Sequence, residues 1–303
     1  MDRLTTMRVF ARVAETGSFT KAALGLNLPR ATVSAAIQAV EVQAGTRLLN
    51  RTTRRVALTV DGAAYLERCL RLLDDVDDMD LLFRQERELP RGRLKVSLPE
   101  RLANHTLIPA LPAFLARYPA LSLELGVSDR YVDLVQDGID CVIRGGDLKD
   151  SRLIGRRLGE IVQGSFASPD YLARHGWPVQ PSDLGQHRVI GYVAPSSGGA
   201  DFSWKYQESG TVKSIPAPSP LAVDNAETQV MAAKAGLGII QVPVYGVQPL
   251  INAGVLKEIL TDFRPPPLAL SVLYPHRRHR SPKLSVFVAW VEQVLAEAGV
   301  FRR

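Results

Sequence analysis

Only two of the 303 residues are cysteine, Cys69 and Cys141, far apart in the chain and in different predicted elements. Such a pair supplies neither a disulfide framework nor a thiolate metal site, and buried structural thiols fit it better than a redox switch. The five histidines, at 105, 175, 187, 276 and 279, lack the i, i+4 spacing of metal ligands and have no acid beside them in a recognisable motif. No run of eighteen apolar residues occurs, so no helix of ordinary membrane-spanning length is expected. The N-terminus, MDRLTTMRVFARVAETG, has charges inside its apolar periodicity where a signal peptide would keep an apolar core, which points to a cytoplasmic protein with no membrane partner. GLG at 236–238 runs into a strand and does not open a phosphate-binding helix. With no nucleophile, general base or cofactor loop in view, neither catalysis, nor a metal, nor a cofactor is expected.

What is present is an ordinary globular composition, 46% apolar and 22% charged, over a length that suits two or more domains. The charge is not evenly spread. Residues 1–58 hold nine Lys plus Arg against three Asp plus Glu, and the remaining 28 basic and 28 acidic residues cancel. The whole net charge of +6 therefore lies in the N-terminal fifth, the footprint of a polyanion binder.

The local pattern there gives that charge a shape. Leu4, Met7, Phe10 and Ala14 mark a first helix. Ser18 can cap a second, Ala22 and Ala23 permit close packing, and Gly25 and Asn27 weaken its continuation before Pro29. Val33, Ile37, Val40 and Ala44 then recur at helical spacing, predicting a third helix from about Pro29 to Ala44 with that stripe in the core. Its other face carries Arg30, Thr32, Ser34, Ala35 and Gln38, short or polar side chains that let a helix lie in a major groove and reach base edges. Arg47, Arg51, Arg54 and Arg55 surround Thr52 and Thr53 before Val56 and Leu58, which reads as a hairpin wing gripping phosphates or entering the minor groove. A solvated basic face on an ordinary helical domain is the plainer alternative.

The segment SFTKAALGLNLPRATVSAAIQAVEVQAGTRLLNRTTRRVALTVDG resembles the winged helix-turn-helix of the LysR-type transcriptional regulators. Ala22, Ala23, Leu26, Val33, Ser34, Ile37, Glu41, Gly45, Leu48, Arg51, Thr59 and Gly62 fall on that family's usual positions. Leu49 stands where Phe is common and Val40 where Leu is common, both similar core residues. Ala35 stands where many members place a long side chain, which shifts the weight of DNA contact toward Arg30 and the wing arginines Arg47, Arg51, Arg54 and Arg55. The resemblance implies a DNA-binding regulator that assembles as a dimer and then as a tetramer, a dimer of dimers. The rival from another class is a solute-binding receptor with an N-terminal interaction module, against which the concentrated basic charge argues.

Beyond Gly62 a long helix to about Glu88 is expected, with Leu66, Leu70, Leu73, Val76, Met79 and Phe83 along one seam and five aspartates between 74 and 80 on other faces. The resemblance implies that this helix, about 61–89, pairs with its copy in a second subunit; docking on its own domain is the alternative. Pro90 and Gly92 mark a hinge. From there LKVSL, a helix over about 103–117, LSLELGV, a helix over 131–136 and IDCVI alternate as in a parallel α/β sheet. GSFAS, the segment before Tyr192, WKYQ, TVKSI, LAV, a helix over about 227–235, GIIQV and a helix over 250–252 form a second half. LALSVLYP and the amphipathic C-terminal segment then return to the first. The expected fold is thus an all-α-type winged helix-turn-helix (about 1–60), the linker helix, and a two-lobed α/β domain of the periplasmic-binding-protein kind (90–303). Its lobe 1 is about 90–162 with 268–303, and its lobe 2 about 163–267.

Strand-to-helix junctions beside the cleft between such lobes offer backbone N–H groups and hydroxyls to a carboxylate. Candidates are Pro99, Arg101 and Leu102 in SLPERLANHT, Ser128 after LELGV, Arg144, Ala167 and Ser168, and Asn225 with Ala226 after LAV. Each has a plainer reading as a cap or turn residue; together they favour a small organic anion as effector. HRRHR at 276–280 reads as a solvated loop more readily than as a second nucleic-acid patch.

Overall fold

Asp2 accepts the Thr5 backbone N–H at 2.9 Å and so opens the first helix, α1 (Arg3–Thr16), which Gly17 closes in the left-handed conformation. In this computed structural model, which describes residues 1–51, 56–83, 90–130, 132–134, 136–146, 153–193, 203–275 and 281–301, the chain divides into two units, 1–88 and 89–303. In the first, Ser18 caps α2 (Phe19–Leu26), and Asn27 ends it at φ 53°, while Gly25 remains helical. Pro29 sits at the N-cap position of α3 (Arg30–Ala44), one residue ahead of its first turn. Val33, Ala36, Ile37 and Val40 are buried against Met7, Val9, Phe10 and Val13 of α1 and Ala22 and Ala23 of α2. Burial of this stripe, not local propensity, fixes which face of α3 is left outside.

The strands β1 (Leu49–Arg51) and β2 (Val56–Leu58) pair antiparallel, Leu49 opposite Leu58, forming the hairpin wing. The helix α4 (Val60–Phe83) follows; by its 24 residues it extends roughly 36 Å. Its N-terminal half docks on the unit's own core through Tyr65, Leu66, Cys69 and Leu73, with Tyr65 edge-on to Phe10 at 5.3 Å. Leu72 and Met79 remain exposed, so the seam read from the sequence is divided between an inward and an outward face. The expected continuation toward Glu88 lies outside the described residues.

The second unit holds two lobes. One is built on a five-stranded sheet in the order β4 (Leu121–Val127), β3 (Gly92–Leu98), β5 (Cys141–Gly145), β14 (Leu268–Pro275), β6 (Leu153–Ile161), with β4, β3 and β5 parallel and β14 antiparallel to its neighbours. A helical run covers it: α5 (Glu100–Leu102), a π turn over Ala103–Leu107, and α6 (Ile108–Arg117). The C-terminal helix α10 (Pro282–Glu297) covers it as well, and Phe114, Phe287 and Trp290 meet there. The nine-residue β6 forms where the sequence predicts no strand. The helix expected over 131–136 is absent among the described residues: Asp137 Oδ2 accepts the Asp133 amide, Asp133 Oδ1 accepts the Gln136 amide, and Leu134 packs as part of a turn with Ile139 and Val142. Aspartate side chains here take the amides a helix would need.

The other lobe has β7 (Gln163–Ala167) between β12 (Ile240–Pro243) and β13 (Lys257–Ile259), with β8 (Ile190–Tyr192) parallel to β11 (Leu221–Val223). The hairpin of β9 (Ser203–Glu208) and β10 (Thr211–Pro216) flanks it, and Trp204 is fully buried. Three helices complete it: α7 (Pro169–His175), where the sequence predicts none, α8 (Ala226–Lys234) and α9 (Gln248–Asn252). The chain passes between the lobes at Val162 and again before β14.

Candidate functional site

Two places gather the candidate residues, one in each unit. In the first, the face of α3 opposite its buried stripe is open: Arg30, Ala35 and Gln38 are exposed, and Thr32 and Ser34 half-buried. The wing is pinned beside it. Glu41 Oε1 on α3 accepts the Leu48 and Leu49 amides at 3.0 and 3.1 Å, and Thr59 Oγ1 donates to the Arg47 carbonyl at 2.8 Å. Thr59 Oγ1 also accepts the Gly62 amide at 2.9 Å, which ties the wing to the start of α4. Thr53, Arg54 and Arg55 lie outside the described residues, as does the side chain of Arg51. A rigid helix with a short-chained, partly cationic face beside a hairpin is suited to major-groove reading with flanking phosphate contact.

The second place is the junction of the two lobes. Glu100, the first residue of α5, accepts a hydrogen bond from Asn225 Nδ2, while Asn225 Oδ1 accepts the Thr228 amide at 2.9 Å and caps α8. Arg101 is 5% exposed and reaches Glu227 and the Gly246 carbonyl across the cleft. Glu227 also meets His105 Nε2 at 3.1 Å. Ser128 Oγ accepts the Arg130 amide at 3.1 Å, Arg130 pairs with Asp224 at 3.0 Å, and Arg144 donates to the Arg130 carbonyl. Between them lies Asp129, whose carboxylate accepts the amides of Glu100 and Ala226 at 3.1 and 2.8 Å.

Two phenols line the same region. Burial pushes Tyr192 well above the usual phenol range, and the negative charge of Asp129 adds to it. Tyr245 is pushed up to about 12 by burial, with the Arg101 charge opposing. Both therefore stay protonated donors at neutral pH.

Of the residues expected at this site, Arg101, Ser128, Arg144, Asn225 and Ala226 are brought together. Pro99 precedes α5 at the same junction, whereas Leu102 points into the core of its lobe and is 1% exposed. Ala167 is fully buried beside Tyr171 and Leu172, and the Ser168 hydroxyl caps α7 by accepting the Tyr171 amide. Glu100, Asp129, Arg130, Tyr192, Asp224, Glu227 and Tyr245 join them with no sequence motif that marks them. Asp129 and Arg130 follow Ser128 directly, so the end of the strand LELGV was the available signal.

Among the described residues no group of three His, Cys, Asp or Glu side chains could hold a metal, and no helix is long and apolar enough to cross a membrane. Both cysteines are free and buried.

Comparison with known proteins finds a match in each of the two units. Residues 4–63 match the bacterial regulatory helix-turn-helix protein of the lysR family, and residues 87–296 match the LysR substrate binding domain. The chain is 40% identical over 297 residues to the HTH-type transcriptional regulator YhjC of Escherichia coli (strain K12), covering 98% of this chain and 99% of that one. It is 38% identical to an HTH-type transcriptional repressor of Pseudomonas aeruginosa (strain UCBPP-PA14), over 98% of this chain and 93% of the relative. Among solved structures, CrgA, a LysR-type transcriptional regulator from Neisseria meningitidis, superposes with a TM-score of 0.61 at 28% identity, over 97% of this chain and 98% of that one. The chain belongs to the LysR family and is a DNA-binding transcriptional regulator with an effector-binding domain.

Proposed function

We propose that this regulator reads its operator with Arg30, Thr32, Ser34, Ala35 and Gln38 of α3 and grips flanking phosphates with Arg51, Thr53, Arg54 and Arg55. Its effector is a small organic anion held between the two lobes. The observation that carries the first part is the exposed Arg30, Ala35 and Gln38 face of α3, set beside a wing that Glu41 fixes in place. The second part is supported by the lobe junction, where helix-start amides and protonated phenols meet beside Arg130 and Arg144. A carboxylate already accepts two of those amides, so the place suits one chemically.

The protein acts as a self-associating regulator, a dimer assembled into a tetramer, and the exposed Leu72 and Met79 on α4 give a second copy an apolar strip to cover. The effector then acts by binding two assembly states with different affinity, since equal affinity would shift nothing. A gel-shift titration of the full chain on the DNA upstream of its own gene tests the operator part, with binding expected and its absence contradictory. A differential thermal-shift screen of small carboxylates on the full chain tests the effector part: stabilisation by an acid, and none by its amide, is the expected result.

A further inference from the structure

One carboxylate of the chain itself stands where the lobes meet. Asp129 leaves the five-stranded lobe one residue beyond Ser128; its Oδ1 accepts the backbone N–H of Glu100, the first residue of α5, at 3.1 Å. Its Oδ2 accepts the backbone N–H of Ala226, the first residue of the nine-residue α8 in the other lobe, at 2.8 Å. The Tyr192 phenol at the end of β8 stands near enough for the Asp129 charge to help hold it protonated. Each carboxylate oxygen thus serves a different lobe, and the helix-start amide of α8 carries partial positive charge that favours an anion. This is the bonding a free acid would need in order to bridge the two lobes.

A separate feature of the junction points the same way. Arg101 is nine-tenths buried or more, and its two terminal nitrogens engage Glu227 and the Gly246 carbonyl of the opposite lobe, yet its buried Nε–H has no acceptor among the described residues. Such a donor is costly to leave unpaired and is satisfied cheaply by an entering polar group. The closed junction is therefore held by groups of the chain but is not fully satisfied by them.

We propose that Asp129 is a tethered internal ligand. Its carboxylate holds the donors at the lobe junction in the effector-free protein, and an acidic effector engages them only by exchanging with it. This rests on the reading of the effector as a small acid bound between the lobes. The exchange makes Asp129 a specificity-determining residue: a neutral isostere of the effector has no charge with which to replace it, and the apparent affinity of any acid is reduced by the fraction of time Asp129 occupies the donors.

The test is calorimetric titration of the full chain, wild type and Asp129→Ala, with sodium formate and sodium benzoate against sodium chloride at matched ionic strength. Formate matches the deleted group in size, and benzoate is a larger acid of the same charge. The expected result is at least about a tenfold gain in affinity for both acids in the variant, with no response to chloride. No gain in the variant overturns the proposal; if wild type nevertheless binds benzoate, the acid-effector reading stands and only the internal ligand falls. If neither protein binds either acid, both fall. Should Asp129→Ala fail to fold, Asp129→Asn decides: its amide nitrogen cannot accept the second N–H, so it should melt below wild type and bind benzoate more tightly, and behaviour equal to wild type on both counts contradicts the proposal.

Discussion

Glu41 on α3 accepts the backbone amides of both Leu48 and Leu49 through a single carboxylate oxygen, at 3.0 and 3.1 Å. The two amides belong to residues that are 0% and 2% exposed, so water does not replace the lost acceptor. Glu41→Ala should lower stability by about 1–3 kcal/mol, and Glu41→Gln, which keeps an oxygen, by less. Thermal unfolding of the full chain measures both, and equal melting of wild type and Glu41→Ala would contradict the pinned wing.

The same turn is closed from the other side by Gly62. A Cβ there would come within 1.9 Å of the Leu48 carbonyl oxygen, which is backbone and has no flexible end to swing away. Gly62→Ala should destabilise the chain by about 1–3 kcal/mol through overpacking and should weaken DNA binding as the wing moves. Unchanged stability and unchanged binding in the variant would count against this packing.

Arg30 and Arg54 should separate by function. Arg30→Ala removes an exposed side chain at the start of α3, which should cost about 1–3 kcal/mol on the operator and relax discrimination among base changes. Arg54→Ala should weaken all duplexes alike and lower the salt slope by about 1. Competition gel shifts with operator and scrambled duplexes check this; the reverse pattern would exchange the assigned roles.

The two thiols should be inert in the folded protein. Burial pushes Cys69 up to about 11 and Cys141 further, so neither forms appreciable thiolate at pH 8. An aromatic disulfide reagent should find no fast-reacting thiol in the native chain and two after denaturation. Rapid native labelling of either would reopen the redox-switch alternative.

Periodicity carried most of what the sequence disclosed. The stripe of Val33, Ile37 and Val40 could be read because a helix repeats its inward face at fixed spacing, and the wing because Val56 and Leu58 alternate beside it. In β6, LIGRRLGEI, glycines and arginines hide an edge strand that pairs along its length with β14. The segment after Arg130 misled for the opposite reason: no Gly or Pro stands between 131 and 137 to stop a helix, but Asp133 and Asp137 hold the backbone in a turn. At the cleft, Ser128 and Asn225 could be singled out as strand-to-helix junctions. That Asp129 bridges the two junctions could not, since its partners lie 29 and 97 residues away in sequence.

The cationic N-terminal unit should bind duplex DNA largely through phosphates. The most direct test is the affinity of the full chain for DNA upstream of its own gene, measured across a range of salt concentrations. If a dimer neutralises about eight phosphates, log affinity should fall against log salt with a slope near about −7. Measurable binding at low salt with that steep decline is the expected result; a slope near zero, or no binding at the lowest salt, would contradict the account.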